Sequence, residues 1–141
     1  MQNLLIFLVD DDEDDRLLLR QAFQQHPAPT TIEEFEDGVA VVDTLKVTAY
    51  GEYPNLILLD LNMPRMNGFS ALKIIKEHPD WQSIPVAVLT TSSDDQDRQK
   101  SIALGADAYM VKPPTYLMLR SIIDRGVAIA EQDASENESS H

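Results

Sequence analysis

A short apolar run in the middle of the chain ends at one carboxylate, and no other segment limits the possible folds as much. Residues 55–59 read Asn-Leu-Ile-Leu-Leu and lack the polar alternation of a strand with one face in water. This pattern predicts a central strand covered on both faces, with Asp60 at its carboxyl end. Pro64 and Asn67-Gly68 form turns soon after, so Asp60 is expected to face a crevice. The alternative is that Asp60 caps the next helix, but Asn67 lies closer to that helix.

Strand and helix patterns alternate five times along the chain. Besides the central strand, strands are expected at residues 4–9, 30–36, 84–89 and 106–111, the second of them at or near an edge. Helices are expected from Asp12 to about His26, Val39 to Lys46, Phe69 to His78, Asp94 to Gly105 and Pro114 to about Ala130. This alternation predicts an α/β fold in which a parallel sheet carries helices on both faces.

The composition limits the class of protein. The 141 residues fit one domain, expected over residues 1–130, followed by a polar, acidic and disordered tail at 131–141. Eleven basic residues against 24 acidic ones give a net charge of −13, which disfavours nucleic-acid binding. The chain has no cysteine, no apolar run long enough to cross a membrane and no basic segment at its start. We therefore expect a cytoplasmic protein with no nucleic-acid or membrane partner.

Six consecutive acids follow the first predicted strand, at residues 10–15. Asp12 suits the N-cap of the next helix, and Asp15 would complete a capping-box-like pair with it. Acids in a first turn also favour the positive end of the helix dipole. Asp10 and Asp11 precede the cap and belong to the strand end, so capping does not explain them. They are candidates for chemistry.

Polar side chains end four of the five predicted strands. They are Asp10, Asp11, Asp60, Thr90 and Lys112. The carboxyl ends of parallel strands share one edge, where folds of this class bind their ligands. Two carboxylates about 5 Å apart repel by roughly 3 kcal/mol at an effective dielectric near 20, so three such groups need a cation.

The chemistry expected at this edge is phosphoryl transfer. Magnesium prefers oxygen ligands and fits better than zinc, because the chain has no cysteine and no paired histidines nearby. Lys112 can neutralise one phosphoryl oxygen, Thr90 can donate its hydroxyl to another, and Asp60 can attack phosphorus in line.

Four segments carry a resemblance to a known family. They are VDD at residues 9–11, LILLDLNMPRMNG around Asp60, LTTSS from Leu89 and ADAYMVKP ending at Pro113. From Leu4 to about Ala130, the chain resembles the receiver domain of two-component response regulators. The resemblance implies a flavodoxin-like, doubly wound (βα)5 fold with a five-stranded parallel sheet in the order 2-1-3-4-5.

The resemblance also implies a set of metal ligands. Asp60 would be the phosphoacceptor and would share in binding Mg2+. Asp11 would bind the ion directly, Asp10 largely through water, and Asn62 through its backbone carbonyl.

Three further residues would act on the phosphoryl group or respond to it. By the same resemblance, Thr90 would bind the phosphoryl group, and Lys112 would pair with it beside a peptide bond to Pro113 that the family holds cis. Tyr109 would match the aromatic switch residue. The domain would catalyse its own phosphorylation and slow dephosphorylation without being a turnover enzyme.

The expected partners follow from the same resemblance. The phosphodonor would be a sensor histidine kinase, and the output would be contact with an unknown downstream protein or a phosphorelay. The connector at residues 48–54 and the LTTSS segment are similar to stand-alone regulators that pair with bacterial phytochromes. The apolar run at 116–119, with Ile129, predicts a homodimer through the fourth helix, fifth strand and fifth helix. The alternative is that these groups pack against the start of the fifth helix and the protein stays monomeric or binds other partners.

The sequence departs from the family pattern in three places, and two other classes share parts of the pattern. The acidic run and the connector are longer than the family needs, and Pro114 replaces a large apolar residue, which leaves the subgroup open. A haloacid-dehalogenase-type hydrolase would need a second acid two residues after Asp60, where this chain has Asn62. A flavodoxin-like electron carrier would need hydroxyls and backbone donors after the first strand, where this chain has six acids.

Overall fold

The computed structural model describes residues 3–63 and 66–124. The strands are β1 (Leu4–Val9), β2 (Thr30–Phe35), β3 (Leu56–Leu59), β4 (Val86–Thr90) and β5 (Ala108–Val111). The helices are α1 (Glu13–Gln24), α2 (Gly38–Val47), α3 (Gly68–Glu77), α4 (Asp95–Ala103) and α5, which is described over 116–124. The expected domain end near Ala130 and the predicted tail at 131–141 lie outside the described residues.

The five strands form one parallel sheet in the order β2-β1-β3-β4-β5, as predicted. Val9 is in register with Phe35 on one side and Leu59 on the other, so the first three strands end level with one another. Winding reverses at the neighbouring strands β1 and β3, and in open α/β sheets the ligand crevice lies at that point.

Successive residues of the inner strands point to opposite faces of the sheet and build two cores. Phe7, Val9, Ile57 and Leu59 pack with α2 and α3. The residues between them pack with α1 and α5, through side chains such as Phe23 and Ile122. All four residues of β3 are buried, which confirms the prediction of a strand covered on both faces. β2 lies at the edge, also as predicted, and none of its residues is fully buried.

The amino-terminal ends of β4 and β5 are joined through one lysine. Lys76 Nζ donates to the carbonyls of Gln82 (3.1 Å) and Ile84 (2.7 Å) and to Asp107 Oδ2 (3.0 Å). The same Asp107 oxygen accepts the N–H of Val86 at 2.8 Å. These hydrogen bonds therefore tie the amino-terminal ends of β4 and β5 to the end of α3.

Three predicted element starts are corrected by local hydrogen bonding. β4 begins at Val86 rather than residue 84, because the Ile84 carbonyl accepts from Lys76. β5 begins at Ala108 rather than 106, because the Ala106 N–H still donates to α4, at the Ser101 carbonyl. The fifth helix begins at residue 116 rather than Pro114, and the Thr115 hydroxyl accepts the Met118 N–H as its cap. No helix in the described part of the chain is both long and apolar enough to span a bilayer.

Candidate functional site

Backbone hydrogen bonds carry the sheet one residue past its strands and set the first site residues in place. The Asp10 N–H donates to the Phe35 carbonyl, and the Asp60 N–H donates to the Val9 carbonyl. Both residues are buried, with 2% and 6% of their surface exposed. Two acids are thus held side by side in the crevice between β1 and β3, as the strand ends predict.

One ammonium group is hydrogen-bonded to three carboxylates of the site. Lys112 Nζ donates to Asp10 Oδ2 at 2.7 Å, Asp15 Oδ2 at 2.8 Å and Asp60 Oδ2 at 3.0 Å. Burial lowers the pKa of Lys112, but the bonds to Asp10 and Asp15 outweigh it, so its pKa is raised and the ammonium stays charged. Lys112, predicted to serve a phosphoryl group, therefore lies directly between the candidate nucleophile and the candidate metal ligands.

Asp15 is a site residue that the sequence interpretation missed. The prediction that Asp12 caps α1 is confirmed, since its carboxylate accepts the N–H groups of Asp14 and Asp15. The prediction of a reciprocal capping pair is wrong, because the Asp12 N–H donates to Asp10 Oδ1 and the Asp15 carboxylate binds Lys112. The available signal was position: the first turn of a helix stays close to the strand end before it.

The second oxygen of each buried carboxylate is fixed by its own loop. Asp10 Oδ1 accepts the Asp12 N–H at 2.9 Å, and Asp60 Oδ1 accepts the Asn62 N–H at 3.2 Å. Burial raises the pKa of Asp10, although the hydrogen bonds from Lys112 and from the Asp12 N–H act against this. The orientations of both carboxylates are set before any ligand binds.

Arg16 stabilises the loop that begins at Asp10, and it is a second residue that the sequence interpretation missed. This largely buried guanidinium donates through Nη1 to the Asp10 carbonyl at 2.7 Å and through Nε to Glu34 at 3.0 Å. Arg20 pairs with the same Glu34. Among these contacts, only the Arg16 bond reaches the backbone of a site residue.

The predicted metal ligands fit a hard divalent cation. Asp10, Asp11 and Asp60 each offer one carboxylate oxygen, and these oxygens lie within 4.8 Å of one another. Asp11 is exposed while the other two are buried, so the group opens to solvent on the Asp11 side. An all-carboxylate donor set suits Mg2+, Mn2+ or Ca2+ rather than a thiolate- or imidazole-seeking metal. Lys112 supplies one positive charge against three contacting carboxylates, and Asp11 adds a fourth carboxylate nearby, so a divalent cation would reduce the remaining repulsion.

Thr90 and Tyr109 are linked through Ser92, a residue the sequence interpretation left out. Thr90 is fully buried, and its Oγ1 accepts the Ser92 N–H at 3.4 Å and the Asn62 side-chain amide at 3.5 Å. The Tyr109 hydroxyl donates to the Ser92 carbonyl at 2.8 Å. Burial raises the pKa of Tyr109, so its hydroxyl keeps the proton that makes this bond. The Ser92 hydroxyl in turn donates to Asp97 of α4.

Two backbone features shape the loops at the carboxyl ends of the strands, which form the rim of the site. The peptide bond between Lys112 and Pro113 is cis, as the resemblance implies. A Cβ on Gly68 would lie 2.2 Å from the Asp60 carbonyl oxygen, so only glycine fits there. Asn67 caps α3 through its side chain, as predicted, and leaves Asp60 free for the site.

The sequence model of the response regulator receiver domain matches residues 6–124. The chain belongs to this family. The match runs from within β1 to the last described residue of α5, so the hydrolase and electron-carrier alternatives are set aside.

Relatives of this receiver domain include other regulators. Rcp1 of Synechocystis sp. (strain ATCC 27184 / PCC 6803 / Kazusa), a response regulator, is 37% identical over 113 residues, covering 77% of this chain and 76% of Rcp1. FilR2 of Methanothrix harundinacea (strain 6Ac), named a "Probable methanogenesis regulatory protein", is 32% identical over 122 residues, covering 85% of this chain and 79% of that protein.

Solved structures agree with the fold of the receiver domain. The Mn2+-bound form of Rcp1 has a TM-score of 0.72 at 32% identity and covers 89% of this chain and 91% of its own. The phosphorylated cyanobacterial phytochrome response regulator RcpA has a TM-score of 0.76 at 32% identity and covers 86% of this chain and 89% of its own. The flavodoxin-like fold expected from the sequence is therefore confirmed.

Proposed function

We propose that this receiver domain accepts a phosphoryl group on Asp60 from the phosphohistidine of a sensor histidine kinase, in a reaction that depends on Mg2+. The observation that carries the proposal is the Lys112 ammonium, which bridges Asp60 and Asp10 at the crevice. A buried candidate nucleophile beside a fixed cation and a group of carboxylates able to hold a metal ion is the arrangement that phosphoryl transfer requires.

The chain's own residues can carry the transfer. An Asp60 carboxylate oxygen forms the new bond to phosphorus while the phosphorus–nitrogen bond of the donor breaks. The histidine nitrogen leaves with that electron pair and takes a proton from solvent. Lys112 and the Thr90 hydroxyl then donate to phosphoryl oxygens. Mg2+, when held by Asp60, Asp11, the Asn62 carbonyl and, through water, Asp10, would neutralise the remaining oxygen charge.

The product stays bonded to the protein, which makes the domain a signalling module rather than a turnover enzyme. Its catalysis is limited to its own phosphorylation and slow dephosphorylation. Thr90 would transmit the signal. When its hydroxyl turns toward the phosphoryl group, it loses the hydrogen bond from the Ser92 N–H, and Ser92 can then move and release the Tyr109 hydroxyl. Tyr109 and the start of α4 would then change their environment.

We propose the cytoplasm as the location, since a histidine kinase draws its phosphate from ATP there. A bacterial phytochrome is the candidate kinase, because RcpA is described as a phytochrome response regulator and is 32% identical to this chain. The downstream partner is a protein rather than DNA, in keeping with the net charge of −13. The route is direct contact or phosphorelay.

A homodimer through α4, β5 and α5 is part of the proposal. A groove of about 520 Å3 lies between these elements, and Ile102 and Leu117 beside it are 52% and 74% exposed. The predicted apolar run contributes less than expected, because Leu119 is buried in the core and the Tyr116 hydroxyl donates to Gln25. Ile129 lies outside the described residues. Leu117 and Met118 are the residues of the run that face the groove.

Intact-mass measurement after incubation with a small phosphodonor and magnesium tests the proposal. The parent should gain one phosphoryl group, and Asp60→Asn should gain none. Asp43→Asn, which removes an exposed acid of α2, is the matched control and should react as the parent does. Equal phosphorylation of Asp60→Asn and parent would show that the nucleophile is another residue.

A further inference from the structure

The Lys112 ammonium has three N–H donors, and carboxylates occupy all of them. If Asp60 accepts a phosphoryl group, Lys112 must donate to one of its oxygens and so must release one carboxylate. Which carboxylate it releases sets part of the barrier to the transfer.

The burial of the three carboxylates indicates which of them Lys112 releases. Asp10 is 2% exposed, so releasing it would leave a buried carboxylate short of a partner. Releasing Asp60 would give up the contact that orients the nucleophile. The Asp15 side chain is 33% exposed and lies in the first turn of α1, so water can replace Lys112 there at the least cost.

Asp15 also adds charge close to the reacting atoms. Because Lys112 Nζ is 2.8 Å from Asp15 Oδ2 and 3.0 Å from Asp60 Oδ2, these two oxygens are no more than about 6 Å apart. A phosphodonor brings one or two negative charges into this space. The Asp15 carboxylate therefore repels the donor at the same time as it holds the ammonium that the donor needs.

We propose that Asp15 is a positioning residue that restrains Lys112 and slows phosphoryl uptake by Asp60, with the strongest effect on dianionic donors. This inference rests on the proposed function and adds a control on its rate. It predicts that removing the charge of Asp15 makes the protein a faster acceptor, the opposite of what loss of a structural contact would do.

The test compares phosphorylation rates of the parent, Asp15→Asn, Asp15→Ala, Asp15→Glu and Asp14→Asn at saturating Mg2+, followed by intact mass. Acetyl phosphate is the dianionic donor and phosphoramidate the monoanionic one. With acetyl phosphate, the Asp60 oxygen bonds to phosphorus, the phosphorus–oxygen bond to the acetyl group breaks, and acetate leaves with the electron pair. Asp14 is the matched control, because it is exposed and its carboxylate makes no hydrogen bond or ion pair within the described ranges.

At low salt, Asp15→Asn and Asp15→Ala should react roughly fivefold faster than the parent with acetyl phosphate and about twofold faster with phosphoramidate. Asp15→Glu should restore the parent rate, and Asp14→Asn should change it less than about twofold because its charge lies outside the contact with Lys112. At about 1 M salt, where the Debye length is near 3 Å, a smaller acceleration should persist for both donors in Asp15→Ala, because alanine offers Lys112 no acceptor.

Two results would overturn the inference while leaving the proposed function intact. The first is Asp15 variants that react no faster than the parent, or no faster than Asp14→Asn. The second is an acceleration that disappears completely at high salt, since charge alone would then explain it. A parent that takes up no phosphoryl group from either donor would overturn both the proposed function and this inference.

Discussion

Replacing Lys112 with methionine tests whether the acids of the site depend on one cation. Methionine keeps most of the apolar stem but removes an ammonium that is bonded to three carboxylates. Removing one partner of a buried ion pair costs about 3–5 kcal/mol, because the other charge is left uncompensated. For a domain of this size, that loss should lower the melting temperature by about 10–20 °C.

The assay is thermal unfolding followed by circular dichroism, in EDTA and in excess Mg2+. The variant leaves Asp10, Asp15 and Asp60 without their ammonium partner, so a divalent cation becomes the main available compensation. Binding at about 100 times the dissociation constant adds about 2.7 kcal/mol of stability. Magnesium should therefore recover much of the loss in Lys112→Met and should raise the melting temperature of the variant more than that of the parent.

The loss of stability in Lys112→Met should also depend on pH. Burial raises the pKa of the Asp10 carboxyl and the hydrogen bond from Lys112 lowers it, so loss of Lys112 should raise that pKa further above its unfolded value. Groups with raised pKa values stabilise the folded state at low pH, and this contribution is lost as the pH rises through the folded values. The difference in stability between parent and Lys112→Met should thus be largest near neutral pH and should shrink toward pH 4.

Lys76→Met is the matched control. The Lys76 side chain is as buried as that of Lys112, at 11% exposed, and also makes three hydrogen bonds, but only one of them reaches a carboxylate. This variant should lose stability equally in EDTA and in magnesium. A melting temperature of Lys112→Met equal to that of the parent in EDTA would refute the role of Lys112, and so would equal stabilisation of both lysine variants by magnesium.

Four further predictions concern the metal, the rim, the switch and the dimer. Asp11→Ala should lose most of the magnesium-induced rise in melting temperature, and a variant that keeps the parent's response would contradict the ligand assignment. Gly68→Ala should cost about 1–3 kcal/mol or more and slow phosphorylation, because the new Cβ would meet the Asp60 carbonyl at 2.2 Å. NMR should show a new environment for the Tyr109 ring after phosphorylation, and identical spectra in both states would rule out the coupling through Ser92. Sedimentation should show a dimer of the phosphorylated parent that Met118→Lys disrupts, whereas a parent that stays monomeric in both states at tens of micromolar would remove the dimer from the proposal.

The sequence was sufficient where a residue's place depends on local pattern. Residues 56–59 are apolar at every position, which requires cover on both faces, and Asp60 follows directly. Parallel pairing then brings Asp10, Thr90 and Lys112 to the same edge without further information. The strand ends thus predicted the main residues that the structure brings together.

The sequence was insufficient where a residue's role depends on the direction of a distant side chain. Asp15 is 97 positions from Lys112, and nothing in the acidic run indicates that it binds the ammonium rather than the helix start. Ser92 contacts Thr90 and Tyr109 through its backbone N–H and carbonyl, so its residue type gives no signal for these two contacts. The Pro114 prediction was wrong because Thr115, one residue later, offers a hydroxyl cap.

Lys76 and Lys112 lie at opposite ends of the sheet, and their different hydrogen-bond partners give these ends different local stabilities. Lys76 is bonded to two backbone carbonyls and one carboxylate, a set that no change at the site disturbs. The Lys112 ammonium donates to three carboxylates, and two of these, Asp10 and Asp60, are candidate ligands of the metal or the phosphoryl group. In amide hydrogen exchange, the amino-terminal halves of β4 and β5 should keep the same protection in every state of the protein, while the N–H of Lys112, bonded to the Thr90 carbonyl, should report each change of occupancy. A spectroscopic label attached near Gln82 should therefore leave signalling unchanged, whereas a label attached beside Pro113 should alter it.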